Sequence, residues 1–155
     1  MKLLVAALAL LSLPLKAAAV DPAEIKLIGC GAAVGVALGL VLDLTGAVKD
    51  RAHPRRWTSG DTALELVFVA AETIDLLQTS SFRRKGWREL NPLLGAHPSQ
   101  LAITGTTVGV LVVHAAIARL LPHPYRTYWQ TIWIGSEISA DFHNIEIHAG
   151  FSWPW

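Results

Sequence analysis

Glu65, Glu72, Asp75 and Thr79 follow one another at intervals of seven, three and four residues. At 100° per residue they fall in one sector of a helix. Gln130, Glu137, Asp141, Asn144 and His148 repeat the pattern, Gln100, Thr107 and His114 form a third stripe, and Asp43 stands alone in an apolar run. If the stripes meet, Asp43, Glu65, Glu72, Asp75, Glu137 and Asp141 bring six carboxyls together with His114, His148 and Asn144. Such a group cannot be fully ionised in a dry interior, so it must hold protons, water or a cation. A divalent metal is chemically allowed, with Glu72, His114, Glu137 and Asp141 as its candidate ligands. The same residues serve equally well as a hydrogen-bonded core that only locks helices together. Glu65, taken singly, suits a helix cap better than a ligand.

These stripes need helices to carry them. Leu27 to Val48 holds about 22 residues with one charge, Asp43, which is the length of a bilayer-crossing helix. Gly31, Gly35 and Gly39 recur every four residues along it and form a glycine zipper face that another helix can approach closely; Asp43 continues that face. Thr62 with Glu65 fits a capping box and starts a second helix, which runs to about Phe82. Ser99 caps a third, Gln100 to Leu121, stopped by Pro122, and a fourth runs from about Arg126 to His148. No strand alternation or internal repeat is present.

Half the chain, 52%, is hydrophobic and the net charge is +1, so a basic nucleic-acid footprint is absent. One cysteine, Cys30, excludes an internal disulfide and any multi-cysteine metal site. Lys2, the apolar run Leu3 to Leu15 and Ala17-Ala18-Ala19 have the order of a signal peptide, residues 1–19, with an uncleaved anchor as the other reading. The six Trp fall at or near the predicted helix ends, as in an interfacial belt.

The price of insertion differs between helices. Glu72 and Asp75 near mid-span each cost about 2.5–3.5 kcal/mol, and each large apolar residue returns only about 0.3–0.6 kcal/mol. The second and fourth helices therefore either turn their stripes inward against partners or lie along the interface; the first and third carry insertion. The basic cluster Arg83, Arg84, Lys85 and Arg88 opposes a simple four-span topology with the N-terminus outside.

"DLLQT" (Asp75 to Thr79), "ELNPLLGAHPS" (Glu89 to Ser99), a mid-helix His114, Leu121-Pro122 and "YWQ" (Tyr128 to Gln130) resemble a group of small uncharacterised membrane proteins of tailed phages and proteobacteria. The resemblance covers Glu72 to His148, about half the chain. It implies several membrane helices and a place among phage genes, and it implies no activity.

The expected fold is all-α, an integral membrane bundle of about four helices over residues 20–155. The expected role is non-enzymatic, in the bacterial inner membrane, through helix packing or partner binding. The partners are the lipid bilayer and a membrane protein or a second copy. A metal- or carboxylate-dependent enzyme acting on lipid or envelope substrate, and a small proton or cation pathway, are the alternatives.

Overall fold

The computed structural model describes residues 22–45, 53–89, 91 and 94–154, with side chains from Gly31 onward in the first helix. The expected signal segment lies outside the described residues. The chain forms four helices, α1 (Pro22–Thr45), α2 (Ser59–Lys85), α3 (Gln100–Leu120) and α4 (Tyr125–Glu146). Among the described residues there is no strand.

The second helix begins earlier than the Thr62–Glu65 pattern predicts. Thr58 is its N-cap: its side chain accepts from Asp61 N, and Asp61 Oδ2 accepts from Thr58 N at 2.7 Å. Aspartate at the third helical position closes the same reciprocal box that glutamate would, one turn upstream. At the other end Gly86, with φ of 68°, takes the left-handed cap, and three basic residues in the last turn oppose the helix dipole. Ser99 caps α3 as expected, accepting from Ala102 N at 3.1 Å.

Helix α4 is the centre of the bundle. It packs on each of the other three helices, whereas among the described helices α1 contacts only α4. Glycines make the α1–α4 contact close. A Cβ added at Gly31 would lie 2.5 Å from Gly135 O and 2.8 Å from Ser136 Cα, and one at Gly35 would overlap the Thr131 carbonyl. Gly135 answers from α4, where a Cβ would strike Gly31 O. Backbone meets backbone here, which only residues without side chains permit. The pairings Gly31–Gly135 and Gly39–Tyr128 run α1 antiparallel to α4, while Asp61–Gln130 and Gln78–Asn144 run α2 parallel to it.

The distribution of polarity is inverted. Gln78, Ser80, Thr127, Gln130 and Thr131 are fully buried, and Glu72, His114, Arg126 and Asp141 are buried with them. Val34, Leu44, Leu66, Leu101, Val112 and Phe142 are exposed. Phe68, Ile103, Ile134 and Ala118 are buried beside the polar set.

Candidate functional site

Polar side chains fill the space between α2 and α4 in layers, because both helices present their stripes to each other in register. The first layer is an ion pair. Arg126 NH1 donates to Asp61 Oδ2 at 3.0 Å, with both side chains almost wholly buried. The rest of the guanidinium is also satisfied: Nε donates to Ala118 O at 2.8 Å, NH1 to Arg56 O at 2.9 Å and NH2 to Arg55 O at 3.1 Å. Trp57 stacks against Arg119 and Arg126, 4.1 and 5.2 Å from ring centroid to guanidinium.

One turn further in, His114 Nδ1 meets Glu65 Oε1 at 2.9 Å, and Gln130 Nε2 donates to Glu65 Oε2 at 3.0 Å. Glu65 is therefore a tertiary partner and not the cap predicted from Thr62. The imidazole lies on Phe68, with ring centroids 3.8 Å apart, and faces Trp129 at 5.6 Å. Opposite a carboxylate, Nδ1 carries the hydrogen, so Nε2 of the neutral ring is a bare acceptor. Nε2 is buried without a hydrogen-bond partner. Glu65→Gln separates the two roles of this residue. Glutamine serves equally in a capping box, but here its amide group would face the Gln130 amide or His114 Nδ1–H. We expect a loss of about 1–2 kcal/mol in a detergent melt; an unchanged melting curve would show that the contacts of Glu65 with His114 and Gln130 do not contribute to stability.

Below Phe68 the carboxyls gather. Glu72 and Glu137 share a hydrogen bond, with Asp75 and Asp141 as their electrostatic neighbours. Asp75 bonds Thr79 and has Glu89 beside it. Asp141 is 6% exposed and its Oδ1 has no hydrogen-bond partner. The last layer is amide: Asn144 Nδ2 donates to Gln78 Oε1 at 2.8 Å, and Gln78 Nε2 to Asp141 O at 3.2 Å.

Of the predicted interior group, Glu72, Asp75, Glu137, Asp141 and Asn144 lie along one seam. His114 sits one layer away, held by Glu65. Asp43 is elsewhere: it pairs with His123 Nε2 at 2.9 Å, because the glycine face of α1 carries it to the turn before α4. His148 is not interior. Helix α4 ends at Glu146, and His148, with φ of 59°, is exposed, so helical spacing no longer governs its position. The proposed metal ligands Glu72, His114, Glu137 and Asp141 do not form one centre: among the described residues no three or more His, Cys, Asp or Glu side chains are grouped to hold an ion. Trp129 and Trp133 are half-buried among other rings. They pack around His114 and Phe68, and Trp129 Nε1 donates to His114 O at 3.2 Å.

Several working residues escaped sequence reasoning. Arg126 reads there as a helix boundary, and Gln78 carries no reading of its own. Gly135 had no visible partner at spacing four. Gln130 was legible, since it opens the α4 stripe two turns before Glu137. No family model matches the chain, and neither a curated protein nor a solved structure matches it.

Proposed function

We propose that this chain is a small polytopic protein of the bacterial inner membrane that acts by helix packing and partner binding, with its polar residues turned into the bundle. The observation that carries this reading is the inverted polarity of the four helices. Helix α3 is long and apolar enough to cross a bilayer, and only 22% of its apolar window is buried. The core helix of a water-soluble protein would be mostly covered. At 1.5 Å per residue its 21 residues span about 31 Å, close to the hydrocarbon thickness. Helix α2 runs beside α4 from Asp61 to Gln78, which supports a shielded stripe over a helix lying flat at the interface. At the Lys85 end, Trp87 and Trp153 are exposed beside Arg83, Arg84 and Arg88, as residues at a lipid headgroup boundary would be.

Gly105 and Gly109 support partner binding. They lie one turn apart on the exposed face of α3, and a Cβ at either would meet nothing within 4 Å. Their spacing equals that of the glycines which bring α1 onto α4, so the same close approach is open to a further helix. Within this reading the phage-like grouping stays a proposal of its own.

The protein should remain with membranes through an alkaline carbonate wash, and cysteine cross-linking through α3 should give a product that Gly109→Leu abolishes. Release into the wash would remove the membrane reading. An unchanged cross-link in the Leu variant would remove α3 as the docking face.

A further inference from the structure

Between α1 and α4 the close approach leaves a groove of about 290 Å³. Its floor is Gly31, Gly35 and Gly135, all buried, because a contact made backbone to backbone has no side chains to fill the surface above it. Val34 and Leu38 of α1 and Ile138 and Phe142 of α4 form its walls. All four are exposed, Val34 and Phe142 at 64%. Helices α2 and α3 make no contact with α1, so among the described helices only α1 and α4 border the groove.

Its dimensions select an occupant. The groove follows α4 from Ile134 to Glu146, 146 − 134 = 12 residues or about 18 Å of helix. The volume spread over that length leaves a mean cross-section of about 16 Å². An α-helix is about 10 Å across and needs about 80 Å², so a helix of a second copy would lie over the groove without entering it. An extended peptide is narrower, but against these apolar walls its N–H and C=O groups would have no partners. An unbranched hydrocarbon chain is narrow enough and carries no polar atom to satisfy.

Apart from the Ser139 hydroxyl, the lining side chains are polar at one end only. There His143 Nδ1 stands 4.0 Å from Glu146 Oε2, with 37% and 79% of the two side chains exposed. This is the Lys85 end of the bundle, since α2 runs parallel to α4. Lys85 Nζ donates to the carbonyls of His148 and Ala149, just past Glu146, at 2.8 and 2.7 Å. A carboxylate and an ammonium thus mark the same end of an apolar slot. Glu146 offers acceptors only, and it repels a headgroup whose sole charge is a phosphate. An ethanolamine phospholipid brings both complements: an ammonium donor for Glu146 and a phosphate for the Lys85 side.

We infer that the α1–α4 groove is a binding site for one acyl chain of an ethanolamine phospholipid, with the headgroup at Glu146. The inference rests on the membrane-embedded reading, because a bilayer is what brings an acyl chain to the groove.

The full chain in nanodiscs of equal parts ethanolamine, glycerol and choline phospholipid tests it, with one headgroup at a time carrying a photoactivatable diazirine in its acyl chain. Adducts from the ethanolamine probe should concentrate on Val34, Leu38, Ile138 and Phe142, several-fold above Val108 and Val112, which are exposed on α3. The glycerol and choline probes should label the groove several-fold less. Ile138→Phe fills the slot from an exposed wall and should bring labelling down to the level of α3. Val34→Phe does the same from α1 if the first variant fails to fold by circular dichroism. Glu146→Gln, at an exposed position, should keep the label and erase the headgroup preference. Groove labelling no denser than on α3, or equal labelling by the three headgroups, overturns the site. So does a disulfide between two copies of Val34→Cys, made with Cys30→Ser, that forms in place of the adducts and assigns the groove to a second chain. A protein retained by membranes in the carbonate wash but without groove adducts overturns the site alone. Release into the wash overturns the membrane reading and the site with it.

Discussion

Gly35→Ala, an increase of a single methyl group, is expected to detach α1 from α4. The added carbon would overlap the Thr131 carbonyl and stand 2.6 Å from Ile132 Cα. Those atoms are backbone, held in the hydrogen-bond ladder of α4, so they cannot turn away as a flexible side chain would. Overpacking of this kind costs about 1–3 kcal/mol when the structure can shift, and here the shift must move an entire helix. Gly35→Leu should be worse. The control lies on another helix: Gly109→Ala introduces the same methyl away from α1 and α4, on the free face of α3, and should leave the α1–α4 contact unchanged. A cysteine cross-link between α1 and α4 reports the separation directly. An α1–α4 cross-link of undiminished yield in Gly35→Ala, with an unchanged melt, would show that the close approach is not what holds α1.

The second large effect is expected at Arg126. Its guanidinium is 1% exposed, paired with Asp61 and bonded to three carbonyls. Arg126→Met removes the cation and leaves Asp61 as an uncompensated buried charge, a loss of about 3–5 kcal/mol. Arg126→Lys is not a mild change, because one ammonium cannot reach the four acceptors that the planar fork reaches. Asp61→Asn strands the cation in turn and also weakens the Thr58 cap. The test is a double-mutant cycle on denaturation in detergent. Arg126→Met combined with Asp61→Asn should lose less than the two single losses added together. Strict additivity would mean that the pair is not coupled.

The sequence made the helices and their stripes legible because both depend on short-range regularity. Spacing alone put Glu72 and Asp75 on one face of α2, and Glu137, Asp141 and Asn144 on one face of α4. It also identified Ser99 as a cap. Pairings across the bundle were less accessible. Nothing near Asp61 points to Arg126, 65 residues away, and Asp61 is also the residue that closes the helix cap. Glu65 has a plausible local partner in Thr62, and that local reading concealed its tertiary one with His114. Helical spacing points His148 inward only if the period is extended past Glu146, where the helix stops. Helical spacing does not show that Trp129 and Trp133 pack with His114 and Phe68, which lie on other helices.

Of the four described helices, α1 is made first and the one it packs against, α4, is made last. Thr45 and Tyr125 are 125 − 45 = 80 residues apart, so at roughly 5–20 residues per second the ribosome needs about 4–16 s to reach the start of α4 after completing α1. Through that interval the glycine face of α1 has no complement among the described residues already made, since α2 and α3 make no contact with it. The order of synthesis thus leaves the glycine face of α1 uncovered by the other described helices until α4 has been made.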